Sequence, residues 1–148
     1  MKLLTSEVEL IDKVIKYVTK TKGKMLRPCL AINTAKTLNR MTKKNYLVAS
    51  LVEMIHIATL MHDDIVDEAE IRRKWPTPAR LWKNKIALLI GDYIFSKSLS
   101  TTVKLNDLDL IRILSDASDR LSKGEIFQIQ ESKKKIMSKN SYYNMIKD

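Results

Sequence analysis

Glycine and proline are scarce in this chain, three of each in 148 residues, so few natural breakpoints interrupt it. Leu, Ile, Lys, Ala and Met are plentiful instead, a composition that favours helices. The single cysteine, Cys29, excludes an internal disulfide framework. No apolar run approaches the roughly 20 residues needed to span a bilayer. Glu7, Glu9 and Asp12 interrupt any apolar stretch near the start that could act as a secretion signal. No alternating strand pattern and no internal repeat is present. Together these absences predict a cytoplasmic, helical protein with no transmembrane segment.

What the chain does have is a core and a charge. Hydrophobic residues make up 45% of it, enough for a single domain over 1–148. Lys and Arg number 27 against 17 Asp and Glu, a formal charge of +10, which suggests an anionic partner: nucleic acid, a lipid surface or a phosphorylated small molecule. The run Lys133 to Lys135 lacks the interleaved aromatic residues of a single-strand binding platform, so it reads as a solvated helix end and nucleic acid is not expected.

Hydrophobic spacing places the helices. Val8, Ile11, Val14, Ile15 and Val18 recur at three and four between Ser6 and Lys20, and Gly23 ends that segment. A second helix is expected to begin at Pro28, which suits a first helical position, and to run through "CLAINTAKTLN". Thr42 can cap a third, from about Lys43 to Glu68, whose face of Leu47, Leu51, Met54, Ile55, Ala58, Met61 and Ile65 should lie inside the fold. "KWPTP" reads as a loop, because each proline disfavours helix at the residue before it. Then follow "ARLWKNKIALLIGDYIFSKSLSTTV" as one long helix or a helical pair, a helix from Leu108 to about Lys133 capped by Asn106 or Asp107, and a last one capped by Ser138.

The end of the third helix is where chemistry concentrates. "MHDDIVDEAEIRRKW" crowds Asp63, Asp64, Asp67, Glu68 and Glu70 together and follows them with Arg72, Arg73 and Lys74. Asp63 and Asp67 are one turn apart on a helix, and Asp64 lies three residues from Asp67, so the three carboxylates share one side. Like charges so placed destabilise a helix by a few tenths of a kcal/mol. A divalent cation supplies the reason, and all-oxygen ligands favour Mg²⁺ or Mn²⁺ over zinc. Since Mg²⁺ typically keeps waters and takes phosphate oxygens from a substrate, the cluster predicts a diphosphate as well as a metal; the alternative is a solvated acidic helix end. His62 and Glu68 read as supporting or surface residues. His56, close to two turns before Asp63, lies on the same stripe and is either a core histidine or a ligand-binding one, with Glu53 a candidate partner.

Basic residues complement the acidic ones. "GKMLRP" sets Lys24 and Arg27 at a helix start, where unpaired N–H groups already favour an anion, so two cations there make sense with a phosphate between them; two surface cations are the alternative. Arg72 and Arg73 can form bidentate contacts with phosphate oxygens, or salt bridges back to Glu68 or Glu70.

In order and spacing, "GKMLRP", "EMIHIATLMHDDIVDEAEIRR", "LWKNKIALLIGDYIFSKSL" and "GEIFQIQ" resemble the trans-polyprenyl diphosphate synthases, and most closely the bacterial octaprenyl diphosphate synthase type. The likeness covers nearly every residue but corresponds to about the N-terminal half of the family's chain. It implies an all-α fold, the antiparallel helical bundle of the isoprenoid synthase type, incomplete in this chain, and usually dimeric. It further implies a prenyltransferase that condenses an allylic diphosphate with isopentenyl diphosphate to a medium or long trans-polyprenyl product. Carried over by position, Asp63, Asp64 and Asp67 match the Mg²⁺-binding motif. Lys24, Arg27, His56 and Arg73 match the isopentenyl diphosphate site, Arg72 and Lys147 contacts to the allylic diphosphate, and Gln128 a polar lining of the cavity. Ala58 and Thr59 stand where larger rings limit product length in short-chain members, so small side chains there leave room for elongation. Family members use no protein nucleophile, which leaves Cys29 as a packing residue. The second aspartate-rich motif is absent, and Asp148 stands where a threonine is expected. A non-catalytic subunit of a heteromeric synthase, and a basic nucleic-acid-binding helical module, are the rival readings.

Overall fold

Apolar residues spaced three and four apart form the first helix, α1 (Glu9–Lys20), preceded by one 3-10 turn at Lys2–Leu4. This computed structural model describes residues 2–20, 23–133 and 138–147. It divides into two units, residues 1–105 and 106–148. In the first unit, α1 is followed by α2 (Leu26–Thr37), α3 (Lys43–Val66), a minimal hairpin of β1 (Ile71–Arg72) and β2 (Trp75–Pro76), and α4 (Pro78–Lys104). The second unit contains α5 (Leu108–Ser132) and α6 (Lys139–Lys147). Its helices begin as the sequence suggests: Asp107 accepts from the Leu110 amide at 3.0 Å, and Ser138 from the Ser141 amide at 3.0 Å.

The core of the first unit is the seam between α3 and α4. Leu51, Met54, Ala58 and Met61 on α3 meet Ala87, Ile90 and Ile94 on α4, with Val14 and Ile15 of α1 and Leu4 closing the cluster. Small residues at Ala58 and Ala87, both fully buried, let the two helices approach closely. Thr42 caps the start of α3: its amide and its hydroxyl both donate to Asn45 Oδ1 at 2.7 Å, and the Asn45 amide donates to the Thr42 carbonyl at 3.2 Å.

Three expectations need correction. α2 begins at Leu26, not Pro28, so the proline occupies a third helical position, where its missing N–H is still not required. The residues around "KWPTP" are not simply a loop: Arg72 pairs with Trp75 and Ile71 with Pro76 in an antiparallel hairpin, too short for any periodicity to register. Cys29 is exposed rather than packed; the covered positions of α2 are Pro28, Ala31, Ile32 and Ala35. The open choice over residues 79–103 resolves as two helical pieces meeting at Lys83, whose φ of 72° and ψ of 153° are not helical.

Candidate active site

α3 ends in backbone geometry that presents its last acidic residues together. The Ala69 amide reaches back to the Asp64 carbonyl at 2.9 Å and the Glu68 amide to the Ile65 carbonyl at 3.2 Å, with Glu68 at a φ of 51°. That is the Schellman pattern, with glutamate in place of the usual glycine. The helix therefore stops at Val66, two residues before the expected Glu68, and Asp67 becomes its cap. The one-turn spacing survives, since the Asp67 amide still bonds to the Asp63 carbonyl at 2.8 Å. Burial then separates the three aspartates: Asp67 is exposed, Asp63 half-buried and Asp64 only 3% exposed. Burial raises the Asp63 carboxyl above its ordinary pKa; Arg72 opposes the shift, while the negative charges of Asp67 and Asp64 add to it.

Arg72 reaches the buried aspartate from the hairpin. Its Nε donates to Asp64 Oδ1 at 2.7 Å. The hairpin is held to both flanking helices. Thr77, fully buried, donates its hydroxyl to the Ala69 carbonyl at 2.7 Å and its amide to Glu70 at 2.9 Å, and accepts from the Arg80 amide at 3.3 Å. On the other side, the Tyr17 hydroxyl donates to the Pro76 carbonyl at 2.8 Å, and the Tyr17 ring meets Trp75 and Trp82 edge-on, with centroids 6.5 and 5.3 Å away. The turn itself is Arg73-Lys74, with φ of 51° and 70°, two left-handed residues in succession as a type I′ turn requires.

That turn delivers Arg73 to the start of α2. A cavity of about 480 Å³ is lined by Gly23, Lys24, Met25, Leu26, Arg27, Glu53, His56 and Arg73. A second, of about 320 Å³, shares Gly23, Met25, Glu53, His56 and Arg73 with it and continues past Asp64 and Arg72 into apolar surroundings that include Met54, Ile57, Leu60 and Trp75. Lys24, Arg27, His56 and Arg73, widely separated in the chain, thus face one hollow. Among the described residues, no carboxylate lies within ion-pair distance of Lys24, Arg27 or Arg73. Burial, and then the charges of Arg27, Arg73 and Arg72, hold the His56 imidazole below its ordinary pKa.

The remaining candidates fall elsewhere. Ala58 is fully buried in the α3–α4 core, while Thr59 is half-buried and donates to the His56 carbonyl at 2.9 Å; neither lines the two cavities. Gln128 is exposed on α5 in the second unit, and the side chain of Lys147 lies outside the described residues. His62 packs onto α4 beside Gly91, 3.3 Å from Asp92. Tyr17, Trp75 and Thr77, which place the hairpin, carried no periodic signal; each acts through a contact remote in sequence. Among the described residues, no three His, Cys, Asp or Glu side chains gather closely enough to hold a metal unaided. The donor set suits a cation whose remaining ligands are waters and phosphate oxygens, since Mg²⁺ is commonly held by one or two carboxylates plus substrate.

The polyprenyl synthetase profile matches residues 8–148. The chain belongs to the polyprenyl synthetase family. Octaprenyl diphosphate synthase of Escherichia coli is 30% identical over 143 residues, covering 97% of this chain and 44% of that protein. Heptaprenyl diphosphate synthase component 2 of Bacillus subtilis is 33% identical over 142 residues, covering 96% of this chain and 41% of the relative. The crystal structure of a polyprenyl synthase from Caulobacter crescentus, complexed with calcium and isoprenyl diphosphate, superposes with a TM-score of 0.92 at 29% identity, over 98% of this chain and 44% of that one. This family member therefore spans less than half the length of those relatives, and its all-α architecture is theirs. Among its described residues, no helix is long and apolar enough to cross a membrane.

Proposed function

We propose that this chain contributes the first aspartate motif and the isopentenyl diphosphate pocket of a prenyltransferase that joins an allylic diphosphate to isopentenyl diphosphate. One observation carries the proposal: Lys24, Arg27, His56 and Arg73 line a single hollow that continues to Asp64 and Arg72. Cations converging without carboxylate partners are poised for an anion with several oxygens, and arginine suits phosphate because its donors are paired and planar. The apolar continuation past Met54, Ile57 and Leu60 suits a hydrocarbon beside that anion. The E. coli relative is an octaprenyl diphosphate synthase, and the Caulobacter structure holds calcium and isoprenyl diphosphate, which supports both ligand classes.

Each group then has a role. Arg73, Arg27 and Lys24 hold the isopentenyl diphosphate, with His56 beside them able to donate a hydrogen bond. Asp64 orients Arg72 toward the allylic diphosphate, and the more exposed Asp63 and Asp67 would hold Mg²⁺. When bound, the metal would neutralise the charge that develops on the departing diphosphate. The cationic side chains do the same, and apolar walls exclude water from the allylic cation that remains. Calorimetric titration with a non-ionisable allylic diphosphate analogue tests the assignment. Binding should require Mg²⁺ and disappear in Asp63→Ala; metal-independent binding that survives the substitution refutes it.

The Bacillus subtilis relative, named as component 2 of its synthase, favours a second reading in which the chain works as one component of a heteromeric enzyme. Incorporation of labelled isopentenyl diphosphate by this chain alone would exclude it.

A further inference from the structure

Gly23 and Arg73 are fifty positions apart in sequence, yet the end of the Arg73 side chain stands beside Gly23. A β-carbon built on Gly23 would lie 2.7 Å from the Arg73 Cζ and 2.8 Å from its Nη2, closer than such atoms ever approach, with Nη1 nearer still. The guanidinium fills the space that a side chain at Gly23 would need. No described glycine has a positive φ, so the backbone conformation at this position does not call for glycine. What calls for it is the arginine. The three glycines differ in this respect: Gly124 has nothing within 4 Å of the same imaginary atom, whereas Gly91 abuts His62.

We infer that Gly23 is a positioning residue for the anion pocket, its missing side chain forming the seat that aims the Arg73 guanidinium at Lys24, Arg27 and His56. The inference rests on the diphosphate reading of that pocket and deepens it. Arg73 is constrained from both sides. Its own backbone is left-handed, at a φ of 51° in a two-residue turn, which fixes where its side chain departs. Gly23 fixes where the other end comes to rest. A methyl group at Gly23 meets the far end of a flexible side chain rather than backbone, so the arginine swings aside while the fold persists. A change at Gly23 should therefore impair anion binding and leave stability nearly untouched.

The test is a double-mutant cycle of Gly23→Ala and Arg73→Ala, read by calorimetric binding of inorganic pyrophosphate, by thermal melting and by the NMR signal of the Arg73 Nε–H group. Gly23→Ala should weaken pyrophosphate binding by about tenfold, the scale of one lost charge-assisted contact. It should have no further effect in the Arg73→Ala background, because nothing remains to displace. Equal losses in both backgrounds overturn the inference, since the methyl group would then act through the backbone. If Gly23→Ala fails to fold, Arg73→Ala must restore folding; two unfolded variants overturn it equally. In the ligand-free protein the Arg73 Nε–H resonance must move in Gly23→Ala, and an unmoved resonance overturns the inference whatever the binding data say. Absence of pyrophosphate binding by the unsubstituted protein, with the resonance displaced as expected, would instead refute the diphosphate reading and leave the seat intact.

Discussion

Removing either partner of the Arg72–Asp64 pair breaks the same 2.7 Å contact, yet the two removals should not cost the same. The Asp64 side chain is 4% exposed and that of Arg72 37%. Asp64→Ala leaves an arginine that can turn outward and rehydrate, so the loss is about that of one hydrogen bond to a charged group, ~1.5–3 kcal/mol, reduced by the solvation recovered. Arg72→Ala leaves a carboxylate nearly closed off from solvent at the wall of the cavity, where breaking a buried pair costs about 3–5 kcal/mol, less whatever hydration the cavity then admits. Arg72→Ala should thus be the more damaging by roughly 1–2 kcal/mol, and the double substitution should cost less than the sum of the singles. Urea unfolding measures all three from shifts in midpoint at constant slope. Equal destabilisation by the two single substitutions would refute the argument, since it depends on their difference in burial. A fully additive cycle would show that the pair is not coupled.

Two further outcomes follow from the same geometry. Lys83, with φ 72° and ψ 153°, sits where essentially only glycine is comfortable, at a cost of about 1–3 kcal/mol, so Lys83→Gly should raise stability by about 1 kcal/mol after the extra flexibility of the unfolded glycine is allowed for. Lys83→Ala keeps the β-carbon and should give no such gain; equal melting temperatures for the two variants would exclude strain as the cause. His56 has its pKa lowered on folding, first by burial and then by three arginines, so the unfolded chain takes up its proton first as pH falls. Its contribution to stability is therefore complete above the ordinary histidine pKa of about 6.5 and is lost as pH drops below it. Melting curves across that interval should show a decline that His56→Gln reduces, and an identical decline in the variant would remove His56 from the explanation.

Helices were legible because their signals are local. The apolar stripe of α3, the Thr42 cap and the Asp107 cap each require only residues within a turn or two of one another. Asp63 and Asp67 were placed one turn apart for the same reason. The sorting of the three aspartates by burial was not legible, since it depends on Arg72 folding back from a hairpin that begins only after α3 has ended. That hairpin has no signature in the sequence, because two-residue strands have no period and its turn uses arginine and lysine where Asn-Gly would announce it. The start of α2 lies two residues before Pro28 because the first four helical amides have no partner within the helix, so a proline at the third position still forfeits no hydrogen bond. Packing for Cys29 rests on elimination, the family having no use for a protein nucleophile, and elimination says nothing about which side of α2 is covered.

The two helix ends of the site share a feature that neither shows alone. A helix C-terminus carries partial negative charge and an N-terminus partial positive charge. Here α3 ends on Asp63, Asp64 and Asp67, and α2 begins between Lys24 and Arg27, so each end is surrounded by charge of its own sign. Every such mismatch costs about 0.3–1 kcal/mol near a surface, and exchanging the two sets of charges would recover it. Only Asp64 is compensated, by Arg72; the other charges remain in place without ion-pair partners among the described residues. A carboxylate set at a negative end makes a site for a cation, and a basic set at a positive end makes one for an anion. An electrically inverted pair of helix ends is disfavoured for a chain that only has to fold, and is what the proposed binding of a metal ion and diphosphates would call for.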